Sequence, residues 1–211
     1  MTDNHERRIT RPHPNLVWHN AVVRTQQREK ALGQSGCVVW LTGLSGVGKS
    51  TLAVNLDKAL YDRGKHSFIL DGDNVRHTLC ADLGFSASDR AENIRRVSQV
   101  SRLFRDAGMI CIVAFISPFR EDRDRARKII GDDRFVEAYL EAPLSVCEER
   151  DPKGLYAKVR AGEISEFTGI SSPYEVPENP EIVLHTADES IGESVNRMLT
   201  FLDTKGLVKI S

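Results

Sequence analysis

No run of the 211 residues is apolar for longer than a short strand, so nothing in the sequence reads as membrane-spanning. The N-terminus has no apolar h-region, so no secretory signal is expected. Neither charge is in excess: 29 Lys and Arg face 30 Asp and Glu. That balance argues against general nucleic-acid binding, which usually brings a strong basic surplus, and leaves room for a local basic pocket. Only four cysteines occur, at 37, 80, 111 and 147, and their gaps fit no metal-ligand spacing. Cys37, Cys111 and Cys147 sit in apolar surroundings and read as reduced core thiols of a cytoplasmic protein. There is no internal repeat and no compositional break. Met1 to Pro14 is polar and reads as a flexible tail, and residues 15–211 as one domain with a substantial core.

What is present is a phosphate cradle. Gly43-Leu44-Ser45-Gly46-Val47-Gly48-Lys49-Ser50 matches G-x-x-x-x-G-K-[ST] at every fixed position. The glycines let backbone N–H groups turn toward phosphate oxygens with no Cβ in the way. In this pattern the lysine reaches the β/γ-phosphates and the serine hydroxyl ligates Mg²⁺. Cys37 to Thr42 reads as a buried strand before the cradle, and Ser50 to Arg63 as a helix after it, ended by Gly64. A bound phosphate therefore also meets the positive end of a helix dipole.

Apolar runs then alternate with helical patterns. Ser67 to Asp71 and Ile110 to Ile116 read as strands, the second apolar on both sides and so central in a parallel sheet. Phe135 to Leu140 and Ile182 to Leu184 are weaker candidates. Asn15 to Leu32 is a candidate helix carrying Leu16, Trp18, Val22 and Val23. Asp89 to Ala107 is a strong one, with Ile94, Val97, Ser101, Phe104 and Ala107 as its apolar stripe. Asp89 and Glu92 have capping-box spacing there, and Gly108 is the stop. Glu189 to Leu202 is the last helix. The expected fold is α/β: a P-loop nucleoside triphosphate hydrolase-like three-layer sandwich around a mainly parallel five-stranded sheet. Ligands in such folds sit at the carboxyl ends of the strands. The first three strands end in the cradle, at Asp71-Gly72-Asp73 and at Ser117-Pro118, so these should line one crevice.

Two carboxylates just past a strand end suit Mg²⁺–phosphate chemistry. One can anchor the ion, and the other can accept a proton from a substrate hydroxyl or orient it. The plain alternative is an Asp-Gly turn capping a helix near Asn74. Arg90 and Asn93 share a helix face and, with Arg76, form a polar cluster suited to an anion, or else solvated helix-end side chains. Ser117-Pro118 reads as an N-cap with Pro at the first helical position, and the Ser117 hydroxyl and N–H can face the crevice as well. Arg150 and Lys153 flank a turn able to fold over a nucleotide as a lid. Gly162 to Pro180 reads as a long ordered loop, and loops of that length are usually functional. The basic run Arg120 to Lys128 reads as a solvated helix face.

Together these blocks resemble the adenylyl-sulfate kinase family. They are the cradle with Thr51; Asp71-Gly72-Asp73-Asn74-Val75-Arg76-His77; Asp82-Leu83-Gly84-Phe85-Ser86; and Asp89-Arg90-Ala91-Glu92-Asn93-Ile94-Arg95-Arg96. Further on stand Ala114-Phe115-Ile116-Ser117-Pro118, Arg150-Asp151-Pro152-Lys153-Gly154-Leu155-Tyr156, and Gly162-Glu163-Ile164 with Phe167-Thr168-Gly169-Ile170. Asn15-Leu16-Val17-Trp18-His19 looks like the family's entry segment, so the resemblance spans about Asn15 to Leu184. The cradle is generic, whereas the combination of the later blocks is specific. Thr78 departs from the pattern, standing where the family usually has Gly; a β-branched residue there would tighten the early helix.

The resemblance implies transfer of the ATP γ-phosphate to the 3′-hydroxyl of adenosine 5′-phosphosulfate, giving 3′-phosphoadenosine 5′-phosphosulfate and ADP in sulfate assimilation. It implies Mg²⁺, a homodimer, and a stand-alone kinase with no sulfurylase region. By matching position, Gly43 to Thr51 would bind ATP, Arg150 would lie near its base, and Ser50 and Asp71 would organise Mg²⁺. Lys49, Asp73 and Ser117 would be the catalytic set, with Asp73 near the acceptor hydroxyl. Arg76, Arg90 and Asn93 would hold the phosphosulfate and ribose, and Phe85 and Phe167 would sandwich the substrate adenine. Ile116 and Ser117 would touch the substrate through backbone groups, and Lys153 would reach its phosphates. Ser117 stands at the family's phosphoserine position. In-line transfer, however, needs only positioning and charge stabilisation, and no base adjoins Ser117 in the sequence. The alternatives are another small-molecule P-loop kinase and a non-catalytic nucleotide-binding regulatory protein. The lack of a guanine-reading Asn-Lys-x-Asp counts against the second. No nucleic-acid or membrane partner is expected.

Overall fold

Five strands make one sheet in the order β2-β3-β1-β4-β5, and every neighbouring pair is parallel. They are β1 Cys37–Thr42, β2 Ser67–Asp71, β3 Ile110–Ala114, β4 Phe135–Glu141 and β5 Ile182–His185. The helices are α1 Thr25–Leu32, α2 Lys49–Tyr61, α3 Gly72–Arg76, α4 Ala87–Asp106, α5 Arg120–Ile130, α6 Leu144–Arg150, α7 Leu155–Arg160 and α8 Ile191–Thr204. This computed structural model describes residues 16, 17, 19 and 21–209. The tail expected at 1–14 and Trp18 lie outside the described residues.

The alternation of side chains along β1 explains why its whole run is apolar. Cys37, Val39 and Leu41 face one layer, where Leu52, Leu56 and Leu60 of α2 meet Met198 and Leu202 of α8. Val38 and Trp40 face the other, against Ile94 and Val97 of α4 and Ala126 and Ile130 of α5. Both faces are covered, as the two-sided apolarity of a parallel strand requires. Each fully buried Leu, such as Leu56, contributes about 2 kcal/mol of transfer free energy. The sheet is thus a rigid floor. β3 and then β2 flank β1 on one side, and β4 and then β5 on the other. The loops diverge at the carboxyl end of β1, where α/β folds open a crevice.

Several local expectations are corrected. The first helix begins at Thr25, not near Asn15; Leu16, Val17 and Val22 are exposed, so no packing face supports an earlier start. The long helix α4 is capped by Ser86, whose hydroxyl accepts from the Asp89 N–H at 3.2 Å, instead of by Asp89. The run Ile110–Ile116 pairs only to Ala114, and the chain then leaves the ladder, Phe115 N–H still donating to the Leu41 carbonyl at 3.2 Å. Ser117 is not an N-cap. Helix α5 starts at Arg120 with Phe119 as its cap residue, and Ser117 has φ 39°, far from the extended backbone of a capping residue. The last helix starts at Ile191 under a Ser190–Glu193 capping box. Thr78 is exposed and donates to the Asn74 carbonyl at 3.2 Å, so the departure at this position stays on the surface of the turn.

The basic run at the start of α5 is only partly a solvated face. Arg123 is 2% exposed and pairs with Glu137 at 2.7 Å, and Arg127 pairs with Glu181 at 2.7 Å. Spacing on a helix identifies which side chains share a face but not which neighbouring strand supplies a carboxylate. Gly162 to Pro180 is a loop without helix or strand, as read from its composition.

Candidate active site

Three strand ends build the donor side. The cradle leaves β1 with Gly43 at φ 146° and Gly46 at φ 75°. A Cβ on Gly43 would sit 2.5 Å from the Leu140 carbonyl, and one on Gly46 2.6 Å from that of Cys147. Close backbone approach therefore demands glycine at both positions, whatever the ligand. The loop is braced from outside: Tyr156 donates to the Ser45 carbonyl at 2.9 Å, and Thr186 to that of Val47 at 2.8 Å. Lys49 folds over the loop, donating to the Gly43 and Leu44 carbonyls at 2.9 and 2.7 Å. Burial pushes its ammonium down to about 7. An arriving phosphate offers this buried charge a full anionic partner in place of two carbonyls.

At the end of β2 the Ser50 hydroxyl donates to Asp71 at 2.6 Å, while the other Asp71 oxygen caps α3 by accepting from the Asp73 N–H at 3.0 Å. Asp73 forms an ion pair with Lys153 from the turn between α6 and α7. Both readings of Asp71-Gly72-Asp73, cap and crevice carboxylates, hold together in this geometry. Among the described residues no group of three or more His, Cys, Asp or Glu could hold a metal ion. The adjoining Ser50 and Asp71 oxygens are hard donors, too few to hold an ion by themselves, which fits one that arrives with nucleotide phosphates.

The far end of the cleft is cationic. Arg76 lies 4.3 Å from the Phe85 ring centroid and donates to the Gly84 carbonyl at 2.8 Å. Arg90 donates to the Phe85 carbonyl at 2.9 Å and to the Thr168 hydroxyl at 3.0 Å. Burial pulls the Arg76 guanidinium below its ordinary value. Asn93, beside them, is 2% exposed, and neither its amide nitrogen nor its amide oxygen has a partner. An unpaired buried amide costs about 1–3 kcal/mol, so both amide atoms stand open to a hydrogen-bonding partner in the cleft. The two phenylalanines do not face each other as a closed sandwich. Phe167 packs edge-on against Tyr156 with centroids 4.9 Å apart, while Phe85 is 66% exposed on the opposite wall.

Ser117 borders the cleft but turns its hydroxyl inward. The Trp40 indole donates to it at 3.1 Å, and it donates to Thr42 at 3.0 Å. Only its backbone is left to face a ligand.

These pieces enclose one cleft of about 1440 Å³, larger than the roughly 300–1,000 Å³ of a single small-molecule pocket. Ser45 to Thr51, Asp71, Asp73, Arg76, Phe85, Arg90, Asn93, Ile116, Ser117, Arg150, Lys153 and Phe167 all line it. Gly43 and Leu44 do not; they act from behind, through the carbonyls that hold Lys49. Thr186, Glu189 and Ser194 line it without having been singled out from the sequence as site residues. Thr186 follows β5 and accepts Arg150 through its carbonyl at 2.6 Å. The carboxyl-end rule, applied to β5 as well as to the first three strands, points to it.

A family model described as adenylylsulphate kinase matches residues 35–185. The adenylyl-sulfate kinase of Clostridium kluyveri is 56% identical over 191 residues, covering 90% of this chain and 96% of that one. The chain belongs to the adenylylsulphate kinase family. The adenylyl-sulfate kinase of Marinobacter nauticus is 55% identical over 92% of this chain and 98% of its own. Among solved structures, that of the Mycobacterium tuberculosis APS kinase in complex with AMPPNP and APS superposes with a TM-score of 0.78 at 50% identity. It covers 81% of this chain and 99% of that one.

Proposed function

We propose that the cleft transfers the γ-phosphate of ATP to the 3′-hydroxyl of adenosine 5′-phosphosulfate, releasing ADP and 3′-phosphoadenosine 5′-phosphosulfate. One observation carries this reading: the unpartnered Asn93 amide and the Arg76–Arg90 pair share a cleft with the Lys49 cradle. That is a second, anion-seeking nucleotide site facing the first. Acceptor-dependent ADP formation from Mg–ATP tests it, with adenosine monophosphate and gluconate as competing acceptors. ADP formed equally with gluconate, or with no acceptor, refutes the reading.

Transfer between two bound nucleotides needs little covalent chemistry from the protein; it needs alignment and neutralised charge. Mg²⁺, held by Ser50 and Asp71 together with the phosphates, would supply positive charge on the transferring group. Lys49 would place an ammonium against the same oxygens. Asp73 would hold the acceptor hydroxyl and take its proton, and Lys153, released from Asp73, would turn to the acceptor's phosphosulfate. Arg76, Arg90 and Asn93 would fix that anion and its ribose. Phe85 and Phe167 would close on the adenine. The 151–154 turn would serve as the lid, and Arg150 with Thr186 would border the ATP base. The working unit is proposed to be a cytoplasmic homodimer; a single-chain mass in sedimentation equilibrium would refute the dimer. The four free thiols, all buried, agree with a reducing compartment.

Two substitutions separate roles within the site. Ser117→Ala should lower stability, because the Trp40 indole loses its acceptor, at about 1–3 kcal/mol. Turnover should stay within about tenfold of wild type, since the hydroxyl points away from the cleft. Complete loss of turnover in a folded variant would restore an obligatory phosphoserine. Asn93→Leu should do the reverse. It removes an unsatisfied buried amide, so the thermal midpoint should hold or rise, while the acceptor KM should climb about tenfold or more. An unchanged acceptor KM would remove Asn93 from the acceptor site.

A further inference from the structure

Arg123 is a fully enclosed cation whose three donor nitrogens each hold a different part of the protein. Its Nε donates to Glu137 on β4 at 2.7 Å, one Nη to the Ser117 carbonyl at 2.6 Å, and the other Nη to the Glu175 carbonyl at 2.6 Å. Next along the loop, Tyr174 lays its ring on Tyr139, centroids 6.0 Å apart, and brings its hydroxyl within 2.9 Å of the Thr42 hydroxyl. Thr42 gives its own proton to the Ile116 carbonyl at 2.7 Å and accepts from Ser117, so Tyr174 is the donor to Thr42. The Glu175 N–H completes the set by donating to the Pro118 carbonyl at 2.8 Å. The carbonyls of Ile116, Ser117 and Pro118 are thus each held in turn, by Thr42, Arg123 and Glu175.

This seam joins two walls of the cleft. One is the end of β3, where Ser117 stands at φ 39°, a backbone conformation that non-glycine residues rarely adopt. Holding such a backbone costs about 1–3 kcal/mol and needs surroundings that over-determine it. The other wall is the 162–180 loop, in which Phe167 lines the acceptor end and Thr168 receives Arg90. Neither Arg123 nor Tyr174 lines the cleft itself. Burying an ion pair such as Arg123–Glu137 is weak as a source of stability, because desolvation offsets the attraction. Burial accordingly pushes the Glu137 carboxyl above its ordinary value. What the pair provides is geometry.

We propose that Arg123 and Tyr174 are positioning residues for the acceptor half of the site, strapping the 162–180 loop to the end of β3. The proposal rests on the reading of that half as the adenosine 5′-phosphosulfate site. Loosening the strap frees Ile116 to Pro118 and Phe167 to Thr168 together. The donor cradle keeps two braces that are not part of the strap, Tyr156 on the Ser45 carbonyl and Thr186 on that of Val47.

Two variants test this: Tyr174→Phe, which removes one hydroxyl and keeps the ring stack, and Arg123→Met with Glu137→Gln, which leaves no lone buried charge. Each should raise the acceptor KM about fivefold or more, the worth of one or two lost hydrogen bonds, with the ATP KM unchanged. Hydrogen exchange of the substrate-free protein should quicken in peptides covering 163–178 and not in those covering 43–60. Arg123→Lys, which keeps the charge but loses the three-way fork, should lie between wild type and the double variant. The two KM values rising together, an acceptor KM within twofold of wild type, or unchanged exchange at 163–178 each overturns the strap. Wild-type protein that makes no ADP with adenosine 5′-phosphosulfate would overturn the proposed function instead, and the exchange result would then decide the strap alone.

Discussion

Lys49→Ala should abolish most phosphate transfer while leaving a folded protein. The loss expected is about 10²–10³ in kcat, the usual effect of deleting one preorganised charge or donor at a developing anion. Unfolding will not explain it. Lys49 is 9% exposed, and its ammonium donates to two carbonyls of its own loop. A buried charge so partnered costs the fold free energy, so the alanine variant should match or exceed the wild-type thermal midpoint. The ATP KM should rise as well, because the lysine touches phosphate in the ground state too. Acceptor-dependent ADP formation beside a thermal melt checks both. Near-native kcat would mean that the backbone cradle alone carries the charge and that Lys49 is dispensable.

Asp73→Ala should produce a comparable loss by a different route, with kcat down about 10²–10⁴ and ATP binding nearly intact. Asp73 is exposed, so its ion pair with Lys153 is worth no more than about 1 kcal/mol to stability. Its backbone N–H, not its side chain, engages the Asp71 cap, so α3 should survive the substitution. Normal turnover would reduce Asp73 to an ordinary turn residue. The substitution also frees Lys153, so any gain in nucleotide affinity would show that this ion pair competes with the bound state. Lys49→Ala weakens ATP binding as well as chemistry; Asp73→Ala strikes chemistry with the donor already in place. Measuring both KM values in both variants separates the donor role from the acceptor role.

Local patterns reached far into this protein. The cradle and its flanking strand and helix were legible because few residue types allow a backbone to turn inward on a phosphate. The strands and long helices were legible from period, and their observed ends differ from expectation by a few residues. Some misreadings were of local caps, at Ser86 and Ser190, and others were cases where distant neighbours decided the outcome. Ser117-Pro118 looks like a helix start, but Trp40 and Thr42 pull the Ser117 hydroxyl inward and the helix begins three residues later. The apolar spacing of Asn15 to Leu32 looks helical, yet no layer of the sandwich covers Leu16, Val17 or Val22.

The phosphate cradle, and the parallel sheet that brings strand ends together, were therefore determined by the sequence alone, through backbone sterics and side-chain period, while the remaining candidate site residues came from the resemblance to a family. Tertiary structure decided which polar groups are free and which are spent. Arg123 is a surface cation by helical spacing and a buried three-way tie in the fold. Asn93 is by spacing a member of a polar cluster or a solvated helix-end side chain, and in the fold it is a buried, unpartnered amide. The reason is physical: hydrogen-bond satisfaction and desolvation depend on neighbours separated by tens of residues, and no local pattern encodes those neighbours.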